Sequence, residues 1–180
     1  NNAAFGIYFP KFVGSIFEVL SAPVSSLEAT VGYVGAAASK STIIGLMIFL
    51  TSNLFVTHDI KYPVVMAIFI ILTAITFSLF GFIIGIWAQN WEKLSIIPTL
   101  FVTPLVFLGG SFYSIDMLPE FWQKVSLLNP VFYLISGFRW SFFGTSEIPI
   151  ALSIVAILSF MAICLAAIAI IFKTGYRLRT

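Results

Sequence analysis

The chain has 180 residues, of which 60% are hydrophobic and only 9% are charged, and its net charge is +2. Because soluble domains contain about 25% charged residues, this composition excludes an ordinary soluble domain and predicts a polytopic membrane protein. So small a net charge gives no reason to expect nucleic acid as a partner. The single cysteine, Cys164, excludes an internal disulfide and a thiolate metal cluster.

The N-terminal segment predicts the end of one helix followed by a short amphipathic helix. Residues 1–9 are mildly apolar and stop at Pro10, so we expect them to end a helix whose beginning is absent. A second helix is expected over 11–23, ending before Pro23, with one apolar face formed by Phe12, Val13, Ile16, Phe17 and Leu20. Because this helix is too short to cross a bilayer, we expect it at the membrane surface or against a soluble partner.

The next apolar stretch predicts the first membrane span, over 27–57. Ser25 and Glu28 have the spacing of a capping box, which marks the start of this helix. A helix of this length exceeds the bilayer thickness, so its first turns are expected to project into water. Lys40 lies near its middle and is expected either to snorkel toward the near interface or to face a wet cavity.

The second predicted span, 62–88, is the longest uncharged run of the chain. It contains Gly81 and Gly85, a GxxxG pair at which another helix can approach closely, although glycine is common in membrane helices and the motif alone is weak. Trp87 and Trp91 bracket the end of this span, where an interfacial aromatic belt is expected.

The third predicted span, 94–115, carries Pro98 and Pro104 inside it. Each proline leaves a helix carbonyl without its usual donor, so a kink or a break is expected. The last span is predicted over 148–172, which is 25 residues without a charge.

A hairpin is predicted over 116–144, between these two spans. Its uncharged run, 125–138, is 14 residues long, and a helix of that length measures about 21 Å, too short to cross. We expect it to enter one face of the membrane and return, packed against other helices. The residues that we assign to this outer gate are Gly109, Gly110, Pro119, Asn129, Pro130 and Arg139.

The basic residues predict which ends of the spans face the cytoplasm. The tail after the last span carries Lys173, Arg177 and Arg179 and no acid, which favours a cytoplasmic C-terminus. Counting back through four spans puts the helix at 11–23 inside and the hairpin outside, with six basic residues inside and three outside. If 125–138 crossed fully, the division would become five to four, which fits the positive-inside rule less well.

Motifs for catalysis are missing from the sequence. It contains no HExxH, no GxSxG and no paired set of cysteines and histidines, and His58 is expected to be a solvated loop residue. The stretch from Gly35 to Ser41 lacks the second glycine of a phosphate-binding loop and lies inside an apolar helix. We therefore expect no enzyme activity, no metal and no cofactor, and any use of ATP would require another chain or domain.

The block PTLFVTPLVFLGGSFYSIDMLPEFWQKVSLLNPVFYLISGFRWSFFG, residues 98–144, resembles the signature region of the ABC-2 type transporter permeases of bacterial inner membranes. The preceding segment, residues 15–36, is similar to the cytoplasmic segment of that family that carries a short coupling helix. The resemblance extends over nearly the whole chain. It implies an all-α membrane helix bundle with six spans, so that the first span and most of the second are expected to be absent here.

The resemblance also implies partners and a mechanism. Permeases of this family form homodimers and associate with ATP-binding-cassette ATPase subunits, supplied in trans, and their coupling helix docks on the ATPase. The positions that match the coupling helix here are Phe17, Glu18, Leu20 and Pro23. The function that we expect is export of a lipid-like, polysaccharide or drug cargo. The alternatives are a non-transporting interaction or assembly module on the same scaffold and, less favoured because the spans lack convergent acids, an intramembrane enzyme.

Overall fold

A computed structural model describes residues 2–56 and 59–175, except for the side chains of residues 19 and 20. The described residues form α-helices, one short 3₁₀ helix and turns, and no β-strand occurs among them. The predicted all-α class is therefore confirmed. The helices are α1 (Asn2–Val13), α2 (Ile16–Ser21), α3 (Ser26–Ser52), α4 (Pro63–Trp87), α5 (Trp91–Leu108), a 3₁₀ helix (Ile115–Met117), α6 (Glu120–Leu127), α7 (Pro130–Phe143) and α8 (Ile150–Thr174).

Four of these helices, α3, α4, α5 and α8, are long and apolar enough to cross a membrane, judged by length and composition. Helix α4 is the centre of the arrangement, because it packs against α1, α3, α5, α7 and α8. Its side chains Phe69 and Phe82 are completely buried. Helix α5 lies at the edge of the arrangement, since Leu94 is the only buried residue among its 18 described positions.

The N-terminal segment differs from the single helix predicted over 11–23. Helix α1 continues through Pro10 as far as Val13, because proline has a helical φ and removes only one backbone donor. Gly14 then adopts a φ of 82°, which favours glycine, and the chain turns before α2 begins. The predicted helix is thus divided at Gly14 into the end of α1 and the short α2.

Two other helix limits follow from local chemistry. Ser25 accepts a hydrogen bond from the backbone N–H of Glu28, whose carboxylate accepts one from the backbone N–H of Ser25, so the predicted capping box is confirmed. Helix α5 ends at Leu108 rather than at Ile115, the limit that we expected, because Gly109 and Gly110 follow and Gly110 has a φ of 79°. Helix α5 continues through Pro98 and Pro104 as one helix, so neither proline breaks it.

Candidate functional site

The predicted coupling residues lie on or beside α2, at the end of the bundle where α4 finishes and α5 begins. Ile16 is buried in an apolar core shared with α1, α3, α4 and α8, which we call the main core. Phe17 is 55% exposed, and Glu18 and Pro23 are also exposed. The side chain of Leu20 lies outside the described residues. The apolar face expected at 11–23 is therefore only partly covered, and it leaves Phe12, Val13 and Phe17 available to a membrane surface or a partner.

Helix α1 attaches this region to α4 and α5. The ammonium of Lys11 donates a hydrogen bond to the carbonyl of Ile86, 2.9 Å away, in the last turn of α4. The ring of Trp91, the first residue of α5, contacts three aromatic rings of α1 at centroid distances of 5.1 to 5.5 Å. We call this group the Trp91 cluster, and its members are Phe5, Tyr8, Phe12 and Trp91. Helix α1 therefore connects α2 to α4 and to the start of α5.

The two glycines of the GxxxG pair lie against α1. A Cβ atom on Gly85 would lie 2.8 Å from the Cα of Ala4 and closer still to its carbonyl oxygen. At Gly81 a Cβ atom would lie 3.6 Å from the backbone nitrogen of Ala4. Because backbone atoms cannot move aside as a side chain can, the contact at Gly85 requires the absence of a Cβ atom.

The opposite end of the bundle contains the predicted hairpin, and a polar network joins it to the end of α5. Arg139, in α7, donates hydrogen bonds to the Gly110 carbonyl at 2.6 Å and to the Glu147 carboxylate at 3.1 Å. The same carboxylate oxygen accepts a hydrogen bond of 2.6 Å from the Ser114 hydroxyl. We call this group the hairpin seat, and its members are Gly110, Ser114, Arg139 and Glu147.

Asn129 joins the start of α7 to the end of α5 by a separate route. Its side chain accepts a hydrogen bond from the Val131 N–H and so caps the start of α7, where Pro130 occupies the first turn. Its amide also donates to the carbonyl of Leu105, 2.6 Å away. That carbonyl belongs to the last turn of α5 and has no partner within the helix. Asn129 is buried, and its one side chain satisfies backbone groups at two helix ends.

Helix α7 packs along the half of α4 that is nearest to the hairpin. Gly137 lies so close to the Phe69 ring that a Cβ atom would overlap it. At the end of α7, Lys61 donates a hydrogen bond of 2.8 Å to the carbonyl of Phe143, and the Tyr62 and Trp140 rings stack with centroids 4.4 Å apart. The predicted gate residue Pro119 lies apart from these contacts, at the start of α6.

Sequence reasoning did not predict the contacts of two residues at the hairpin end of the bundle, Glu147 and Gly137. A signal for Glu147 was present, because Arg139 and Glu147 are the only charged residues between Lys124 and Lys173. Two isolated opposite charges in an apolar stretch are expected to pair. No comparable signal marked Gly137, whose role depends on where Phe69 lies in the folded chain.

A cavity of about 490 Å³ lies between α1, α3, α4, α5 and α7. Its wall is mainly apolar, with four hydroxyl groups and no charged residue, the hydroxyls being those of Ser41, Thr73, Ser78 and Ser111. A surface of this composition suits an apolar segment or an acyl chain. Within residues 2–56 and 59–175, no three His, Cys, Asp or Glu side chains are grouped to hold a metal ion.

The fold and these two ends define a multi-pass membrane protein whose helix bundle is closed at one end by a hairpin and carries an exposed short helix at the other. Comparison with known proteins is consistent with this class. The sequence model of the ABC-2 type transporter family matches residues 1–143, and the chain belongs to this family.

Two kinds of curated relative are similar to the chain. The "Inner membrane transport permease YadH" of Escherichia coli (strain K12) is 38% identical over 91% of this chain and 65% of its own length. "Nodulation protein J" of Rhizobium leguminosarum bv. viciae is 25% identical over 65% of this chain and 45% of its own, and that of Sinorhizobium fredii is 28% identical over 62% and 43%. The chain thus spans about two thirds of the YadH sequence. No solved structure matches the chain significantly.

Proposed function

We propose that this chain is the membrane permease part of an ATP-driven exporter in a bacterial inner membrane. In this proposal the permease acts as a homodimer with ATP-binding-cassette ATPase subunits supplied in trans, and it moves a lipid-like, polysaccharide or drug cargo out of the cytoplasm. Membership of the ABC-2 type transporter family and the name of the E. coli relative support a transport role. The single observation that carries the proposal is the pairing of an exposed α2 at one end with the hairpin seat at the other.

The distribution of basic residues supports a cytoplasmic location for the end with α2. Lys11 contacts the end of α4, Lys93 lies in the first turn of α5, and Lys173 lies in the last turn of α8, all at this end. The basic residues described at the opposite end are Lys61, Lys124 and Arg139, two of which are engaged in hydrogen bonds with the protein. Arg177 and Arg179 follow Lys173 in the sequence, so five basic residues belong to the α2 end and three to the other, as the positive-inside rule expects of a cytoplasmic side.

Coupling to the ATPase is proposed to act through α2. Phe17 supplies an exposed apolar anchor and Glu18 an exposed negative charge on a helix too short to hold a partner by itself. Because Ile16 is buried in the main core and Lys11 is bonded to α4, a push on α2 moves α1 and α4 together. This is the mechanical link that an ATP-driven permease needs.

The hairpin is proposed to be a re-entrant outer gate. Helix α7 begins near Leu105 and the central part of α4, and it ends beside Lys61 at the outer end of α4, so it does not extend along the full length of α4. Its backbone is helical and its start is capped by Asn129, which satisfies the requirement that no free backbone group faces lipid. Polar contacts of this kind can be exchanged for water when the gate opens.

The test uses the complete protein with its ATPase in proteoliposomes. We expect Glu18→Arg and Phe17→Ala each to reduce ATPase binding by about tenfold or more, the loss expected when an interface anchor is removed. The matched controls at the opposite end are Asp59→Arg, which also replaces an acidic residue with arginine, and Phe55→Ala. Both should leave ATPase binding unchanged. Unaltered binding in both α2 variants would overturn the docking role, and absence of ATP-dependent transport by the wild type would favour a non-transporting assembly module.

A further inference from the structure

Lys40 lies level with the centre of α4. Helices α3 and α4 are antiparallel neighbours, and two contacts fix their register. A Cβ atom on Gly45 would lie 3.8 Å from Ile70, and the rings of Tyr33 and Phe82 have centroids 5.9 Å apart. Interpolation between these contacts places Lys40 beside Ile75, which is the central residue of α4.

This position lies too deep for the lysine to reach either membrane surface. The centre of α4 is about 18 Å from each end of that helix, and the hydrocarbon core of a bilayer is about 30 Å thick. The four-carbon stem of a lysine covers only about a third of the distance from the centre of α4 to its end. With the bilayer centred on α4, the tilt of helical side chains toward the N-terminus directs the ammonium of Lys40 toward the end that carries α2, still within the hydrocarbon region.

Residues 1–180 place no acidic side chain at this depth. None of the seven acidic residues lies deeper in a predicted span than the first turn, and they are Glu18, Glu28, Asp59, Glu92, Asp116, Glu120 and Glu147. A second copy of residues 1–180 likewise brings no acidic side chain to the level of Lys40. A lysine at the membrane centre is expected to face a cavity or a charged ligand rather than lipid.

The surface around Lys40 leaves room for a ligand. Lys40 is exposed, and on the side toward the α2 end its face of α3 is formed by the small exposed residues Ala36 and Gly32, with no atom within 4 Å of a Cβ built on Gly32. On the other side the same face carries the exposed apolar side chains Ile43 and Met47. The ammonium of Lys40 complements an anionic head group, and the small residues beside it leave space for that group. The exposed apolar side chains on the other side complement the tail of the same amphiphile.

We propose that Lys40 binds the anionic head group, a phosphate or a carboxylate, of an amphiphilic cargo at the middle of the membrane. The inference rests on the proposed transport function and narrows its cargo to anionic amphiphiles. The ammonium supplies the charge complement, and α3 supplies the apolar surface for the tail.

The test measures binding of two fluorescent probes to the complete permease in phosphatidylcholine nanodiscs. The probes are a labelled phosphatidic acid and the diacylglycerol with the same chains. We expect Lys40→Gln to weaken phosphatidic acid binding about tenfold, as for loss of one charged contact, while diacylglycerol binding changes less than about twofold. Lys40→Arg should bind nearly as well as the wild type. The matched control is Lys173→Gln, which removes a lysine from the edge of the membrane and should leave both affinities unchanged.

Three outcomes overturn the inference. They are wild-type phosphatidic acid binding in Lys40→Gln, an equal loss in Lys173→Gln, and displacement of the probe by millimolar inorganic phosphate, which would identify a free ion as the ligand. ATPase stimulation by the wild-type permease is measured in the same preparation. If stimulation is present while Lys40→Gln binds normally, the inference fails and the proposed function stands, whereas absent stimulation counts against the proposed function itself.

Discussion

The two ends of the helix bundle are held together by different forces. At the end with α2, the Trp91 cluster and the glycine contacts of α4 join α1, α4 and α5 through apolar surfaces, and Lys11 adds a hydrogen bond to α4. At the hairpin end, α5 and α7 are joined by charged and amide hydrogen bonds, through Arg139 and Asn129.

This difference has a mechanical consequence. Apolar packing is close and cannot be replaced by water, so the end with α2 is expected to move as one body. The side chains of Arg139 and Glu147 are partly exposed, so their hydrogen bonds can be exchanged for water at a small net cost, and this contact of the hairpin end is expected to separate more readily. An exporter of the proposed kind needs a rigid end that receives force and a releasable end that opens.

The largest effect is expected from a substitution that disrupts the apolar end. Gly85→Ala places a Cβ atom against the backbone of Ala4 and should lower the free energy of unfolding by about 1–3 kcal/mol, the usual cost of overpacking. Gly35→Ala is the matched control on α3, because nothing lies within 4 Å of its Cβ position, and it should be neutral or slightly stabilising. Thermal unfolding in detergent measures both, and equal stabilities would show that the close contact at Gly85 is not required.

An effect within the same range is expected at Asn129. Asn129→Ala removes the cap of α7 and the donor to Leu105, and it should cost about 2 kcal/mol, since a cap contributes about 1 and a buried unpaired carbonyl about as much. Asn90→Ala removes an exposed cap of α5 and nothing else, so it should cost about half as much. The two variants are compared by thermal unfolding, and identical losses would indicate that the contact with Leu105 contributes nothing.

The smallest effect is expected for the ion pair of the hairpin seat. The side chains of Arg139 and Glu147 are 30% and 16% exposed, so solvent screens part of their attraction. A double-mutant cycle with Arg139→Gln and Glu147→Gln should give a coupling free energy of about 1 kcal/mol. Pairing Glu147→Gln with Lys93→Gln at the other end should give additive losses. A coupling near zero in the first cycle would mean that this pair does not hold the hairpin.

The helices themselves could largely be predicted from the sequence. The length of the uncharged runs predicts four spans, Ser25 and Glu28 predict the start of α3, and Asn129 with Pro130 predicts the start of α7. Each of these features is local, because capping and hydrophobic length depend on residues within one helix.

The features that the sequence did not predict depend on contacts between distant parts of the chain or on one backbone angle. Whether Gly14 interrupts a helix depends on its φ, since glycine is also tolerated in helical conformation. The closeness of Gly137 to Phe69 depends on how α7 packs against α4. The pairing of Arg139 with Glu147 depends on the turn that follows α7, which brings the two residues to the end of α5.

The central claim is that α2 and the hairpin lie on opposite sides of the membrane. It is tested most directly by labelling single cysteines with an impermeant maleimide in spheroplasts that produce the complete protein with Cys164→Ala. We predict that Glu120→Cys is labelled from outside, and that Glu18→Cys and Arg177→Cys are labelled only after the membrane is permeabilised. Labelling of Glu18→Cys from outside, or labelling of positions 18 and 177 from opposite sides, would contradict the account.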